Sequence, residues 1–140
     1  MLSGLQIRLS LAPTLSAPGI TRERVAELRA AVPEETLNDL SLLCTEVVTN
    51  AVKYAGLSSD QIIQVDVNSY PNRVEAKIRY PDHNEFDPSL SGEDPDETSG
   101  WRLLLIDRLA DRWRMVRTDG DVEVWLQVRL SPATGSEPRG

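Results

Sequence analysis

The sequence predicts one α/β domain, a two-layer sandwich in which a mixed sheet is covered on one face by helices. Three observations carry that expectation. Leu5 to Leu11, Ile63 to Val67, Val74 to Tyr80 and Val122 to Leu130 alternate apolar and polar residues, the period of a half-buried strand. One long stretch, Glu34 to Ala55, repeats its apolar residues every three to four positions, the period of a helix. The elements run strand, two helices, hairpin, loop, helix, hairpin, without an internal repeat. Consecutive hairpins beside helices call for a sheet with one covered face.

In chain order, Leu5, Ile7, Leu9 and Leu11 alternate with Gln6, Arg8 and Ser10 to form the first strand. After a loop marked by Pro and Gly, Thr21 is placed to cap a short helix whose Val25, Leu28 and Val32 share one side, and Pro33 separates it from the next element. The long helix carries Leu37, Leu40, Cys44, Val47, Val48, Ala51 and Ala55 in a stripe, and Gly56 ends it. Ile63, Val65 and Val67, then Val74, Ala76, Ile78 and Tyr80, alternate on either side of the turn residues Tyr70-Pro71-Asn72 and read as a hairpin. Pro81 to Ser99 has little to pack and is expected to be one long mobile loop, a length that in a compact domain marks function or disorder. Gly100 opens a helix with Leu103, Leu104, Ile106, Leu109 and Ala110, and Trp113 to Val116 is a strand. Asp119-Gly120 turns the chain into the last strand, Val122 to Leu130. The domain is thus expected over residues 1–130, with 131–140 a disordered tail.

A chain of 140 residues with 40% apolar and 26% charged side chains suits one globular core rather than a disordered chain. No run of eighteen uncharged apolar residues occurs, and the first residues lack the basic-then-hydrophobic order of a secretion signal, which argues against a membrane span and export. Cys44 is the single cysteine and His83 the single histidine, so an internal disulfide, a cysteine-cluster metal site and a Ser/His/Asp triad have little to draw on. A cytoplasmic location is the default expectation. The net charge of −7 is concentrated: no Lys or Arg lies between Arg79 and Arg102, while Asp82, Glu85, Asp87, Glu93, Asp94, Asp96 and Glu97 do. That segment would repel a nucleic-acid backbone and welcome a basic protein surface or a cation, so no direct nucleic-acid contact is expected there.

Glu46, Asn50 and Lys53 recur at spacings of four and three and share a helix face opposite the apolar stripe. Taken alone, they read as a solvated face. Asn competes with the backbone in a helix interior, which hints at another role for Asn50. Cys44, on the stripe, reads as core packing and His83 as a solvated loop residue. Trp113 and Trp125 read as packing on the sheet and its rim, and Trp101 is placed to contact a ligand or partner.

The run Glu46-Val47-Val48-Thr49-Asn50-Ala51-Val52-Lys53-Tyr54-Ala55 resembles the N-box of the ATPase superfamily that includes gyrase, sensor histidine kinases and mismatch-repair proteins, and within it the bacterial anti-sigma-factor serine kinases. Asp82-His83-Asn84-Glu85-Phe86-Asp87-Pro88 stands where that family has its Asp-x-Gly-x-Gly box. Gly100-Trp101-Arg102-Leu103, continuing to Ala110-Asp111-Arg112-Trp113, resembles the second glycine box and its helix, and Val122-Glu123-Val124-Trp125 the closing strand. The resemblance covers Leu5 to Leu130 and implies a Bergerat-type ATP-binding fold. It also implies that Glu46 is the base activating an attacking hydroxyl, that Asn50 holds Mg²⁺ between the phosphates, that Lys53 stands near the phosphates, and that Asp82 accepts a hydrogen bond from the adenine amino group. Gly100 and Arg102 would lie at the phosphates.

Two departures bear on ATP. Asn84 and Glu85 hold places where the family needs glycine for close backbone approach, and Arg102 holds that of the second glycine in the Gly-x-Gly helix start. Two readings follow. One is an anti-sigma-factor-like regulatory domain that controls transcription by binding a sigma factor or an anti-sigma-factor antagonist, with a degenerate ATP site. The other is an ATP-Mg²⁺-dependent protein serine kinase that phosphorylates such an antagonist. The resemblance implies a homodimer in either case.

Overall fold

The computed structural model describes residues 5–82 and 105–130. Strand β1 (Gln6–Leu11) leads into helix α1 (Ala17–Val25), a 3-10 turn (Ala26–Ala30) and the long helix α2 (Glu34–Tyr54). Strands β2 (Ile63–Tyr70) and β3 (Arg73–Pro81) follow, then helical residues 105–109, then β4 (Arg112–Thr118) and β5 (Asp121–Arg129). The strands form one sheet in the order β1-β2-β3-β5-β4, and all four ladders are antiparallel.

The expected α/β sandwich is present, and the pairing corrects one part of it: the described sheet is antiparallel rather than mixed. The number of helical legs is the reason. One crossover helix returns a chain for a parallel strand, whereas α1 and α2, packed on each other, make two passes, so β2 comes back antiparallel to β1. The hairpins have two-residue turns, which join antiparallel neighbours. Tyr70 pairs with Arg73 across Pro71-Asn72, and Thr118 with Asp121 across Asp119-Gly120. Asp119 (φ 50°) and Gly120 (φ 84°) both occupy the left-handed region, which Asp-Gly enters at little strain and which matches the twist of the flanking strands.

Every strand turns alternate residues toward the helices. Val65 and Val67 on β2, Val74 and Ile78 on β3, and Val124 and Leu126 on β5 are fully buried. Helix α2 presses Leu37, Leu40, Cys44, Val47, Val48 and Ala51 into the same layer, the stripe that its periodicity predicts. Each Leu or Val so removed from water contributes about 1.5–3 kcal/mol. This seam, more than local propensity, sustains α2, whose N-cap position is Pro33 with no side-chain cap hydrogen bond. Glu34 and Glu35 complement the helix dipole in its first turn, and Gly56 stops the helix with φ 72°.

The start of α1 differs from expectation. Thr21 does not cap the helix: it is buried in its middle and donates its hydroxyl to the Ala17 carbonyl at 2.9 Å. The helix begins earlier because Pro18, with φ fixed near the helical value, suits a first turn. Val25, Leu28 and Val32 are buried as expected, at the end of α1, in the 3-10 turn and just beyond it. Ile106 and Ala110 are also buried. The expected helix start at Gly100, nearly all of the acidic loop and the tail 131–140 lie outside the described residues. None of the described helices is long and apolar enough to cross a membrane.

Cys44 is the core residue that its place on the stripe implies, and burial pushes its thiol up to about 12. The thiolate that attacks reagents is therefore scarce at neutral pH. A thiol-specific disulfide reagent is expected to label Cys44 only as fast as the domain unfolds. Prompt labelling of the native protein would contradict this packing.

Candidate functional site

Glu46, Asn50 and Lys53 lie in the second half of α2. Glu46 and Asn50 are half-buried and Lys53 is exposed, so the first two flank the seam rather than standing free in solvent. Among the described residues, neither the Glu46 nor the Asn50 side chain has a hydrogen-bond partner, and no ion pair engages Lys53.

The direction of α2 follows from the topology. Burial and then the charges of Glu35 and Asp111 raise the Asp39 carboxyl above its ordinary value, which puts the first half of α2 near Asp111 at the start of β4. The helix then runs toward the other end of the sheet and connects through residues 55–62 to Ile63, paired there with Leu11. Seven residues make two turns, so Glu46 lies on the same side of α2 as Asp39. That side faces the β4 edge.

Asp82 stands at the same end of the sheet, just beyond β3. It follows Tyr80 in alternation and so takes the helix-covered side. Its backbone N–H donates to the Gly120 carbonyl at 2.8 Å. Its Oδ2 accepts a hydrogen bond from Arg117 Nη2 at 3.2 Å, and the Asp82 side chain is only 9% exposed. Arg117 shares the inward side of β4 with Trp113 and Met115. The Trp113 indole N–H donates to Asp107 Oδ1 at 3.2 Å. The structure thus brings Glu46, Asn50 and Asp82 to one end and one face of the sandwich. Gly100 and Arg102, with Asn84 and Glu85, lie outside the described residues.

Sequence reasoning missed Arg117. The signal was present: positions 113, 115 and 117 alternate inward, and the third holds a cation where an apolar residue is expected. Trp125 points to the opposite, open face, under the Arg114 guanidinium 5.4 Å from its ring centre. A trough of about 860 Å³ runs over that open face, lined by residues such as Arg8, Asp66, Lys77 and Trp125. It contains none of the expected site residues. Its wall is the solvent side of a curved sheet, so its size says nothing about the chemistry of the α2 side. Among the described residues no group of His, Cys, Asp and Glu is arranged to hold a metal ion.

The architecture is that of an antiparallel sheet covered on one face by helices. Residues 9–128 match the family described as the histidine kinase-like ATPase domain, and the chain belongs to that family. Two solved structures share the fold. The first is that of the RsbU and RsbW domains of Rv1364c from Mycobacterium tuberculosis, with TM-score 0.69 and 20% identity over 90% of this chain and 32% of that one. The second is the Erythrobacter litoralis EL346 blue-light activated histidine kinase, with TM-score 0.60 and 16% identity over 81% of this chain and 40% of that one. This chain therefore spans about a third and two fifths of the lengths of these two. No curated protein matches its sequence significantly.

Proposed function

We propose that the domain is a regulatory binding module of the anti-sigma-factor type, controlling transcription by holding a sigma factor or an anti-sigma-factor antagonist protein, with an ATP site of reduced capacity. The observation that carries this reading is the engagement of Asp82. The carboxylate that would accept the adenine amino group is almost buried and already accepts from Arg117. The loss of glycine at Asn84, Glu85 and Arg102 supports it from the sequence. The N-box-like run on α2 supports the anti-sigma subtype, and the fold shared with an RsbW-containing protein is compatible with it.

A second reading, the serine kinase, draws on Glu46 and Asn50, which are half-buried and whose side chains have no hydrogen-bond partner among the described residues. In that reading Glu46 takes the proton of a partner's serine hydroxyl, Asn50 offers a neutral oxygen to Mg²⁺, and Lys53, Gly100 and Arg102 attend the phosphates. Bound ATP would supply the phosphoryl group and its charge.

Calorimetric titration with ATP and Mg²⁺ separates the two. The regulatory reading expects dissociation constants above about 1 mM, weaker than about 4 kcal/mol, with nucleotide-independent binding of a purified cognate sigma factor or antagonist. Low-micromolar ATP binding abolished by Asn50→Ala and by Asp82→Ala overturns it in favour of the kinase. Glu46→Ala should then leave ATP binding intact and stop phosphate transfer.

A further inference from the structure

Arg117 breaks the alternation of its strand. It follows Trp113 and Met115 on the helix-covered side of β4, opposite Val122, and reaches across to Asp82, 35 residues earlier. The two side chains are 26% and 9% exposed. The Asp82 backbone is separately tied to Gly120, so the β4–β5 hairpin fixes both the main chain and the carboxylate of this residue. Resting on the reading of Asp82 as the base-recognition residue of the nucleotide site, we propose that Arg117 is the internal occupant of that position. Its guanidinium takes the place of the exocyclic amino group of adenine at the Asp82 carboxylate and thereby holds nucleotide affinity down.

The competition is unequal on chemical grounds. A guanidinium is always charged in a protein, and its bond to a carboxylate is roughly twice as strong as one from a neutral donor. The adenine amino group is a neutral donor. A ligand whose base offers only a neutral N–H therefore does not displace Arg117 through that contact.

The test is titration of ATP-Mg²⁺ into the wild-type chain and into Arg117→Met, with Arg117→Gln as a second neutral variant should the first not fold. Circular dichroism and thermal melting establish that each is folded. The expected result is at least a tenfold gain in ATP affinity, or a dissociation constant below about 0.1 mM where the wild type exceeds about 1 mM. Inosine triphosphate, which presents a carbonyl in place of the amino group, should show no comparable gain. Adding Asp82→Ala to the Arg117 variant should remove the gain. Folded variants that bind ATP no better than the wild type overturn the proposal, as does a gain that survives Asp82→Ala or is equal for inosine triphosphate. These outcomes concern the ratio of variant to wild type. The regulatory reading is judged separately, by the affinity of the wild type itself.

Discussion

Replacing Val47 by aspartate is expected to unfold the domain. Val47 is 5% exposed on the side of α2 that packs on the sheet, among Leu40, Cys44, Val48 and Ala51, none of which can pair with a charge. A carboxylate there must stay ionised without a partner, take up a proton, or force the helix off the sheet, and each route is costly. A loss above about 4 kcal/mol is expected. Domains of this size hold only about 5–15 kcal/mol in all. Val47→Ala, which removes only methyl groups, should lose about 2 kcal/mol and remain cooperative. Urea denaturation followed by circular dichroism reads both. An unchanged midpoint for Val47→Asp would mean that α2 does not cover the sheet.

Leu40 and Leu42 provide the second large effect and its control. Leu40 is fully buried and Leu42 is 44% exposed, two residues apart on the same helix. Leu40→Ala removes three carbons from the centre of the helix–sheet seam and leaves a cavity, for an expected loss of about 3–4 kcal/mol. Leu42→Ala alters a side chain already half in water and should change stability by less than about 0.5 kcal/mol. Alanine suits a helix at least as well as leucine, so propensity cannot produce the difference. Equal losses in the two variants would show that the buried stripe has been placed on the wrong side of α2.

Much of this architecture was readable because it is written at short range. The stripe from Leu37 to Ala51 repeats every three or four residues and marks both the helix and its buried side. Gly56 marks its end, where φ is 72°, and Asp119-Gly120 marks a turn that needs two left-handed residues. The first helix was misread because Thr21 has the chemistry of a cap, and only its burial beneath Ala17 shows that the chain was already helical there. The open position of the ladders was also hidden. Alternation says that a strand has two faces but not which way its neighbour runs, and the antiparallel return of β2 depends on α1 and α2 together making two passes.

The candidate site divides in the same way. Glu46, Asn50 and Asp82 could be named from the sequence, since each sits in a local run of recognisable chemistry. The partner of Asp82 could not. Arg117 lies 35 residues away, and the contact exists because β3 pairs with β5 and β5 with β4, which brings the end of one strand beside the end of another. By itself, the sequence determined the strands, the long helix and their buried sides, because those depend on spacings of two to four residues. The tertiary structure alone decided that the sheet is antiparallel, that Glu46 and Asn50 are half-buried on the side facing β4, and that a cation already holds Asp82. Those depend on which distant segments the shared core draws together.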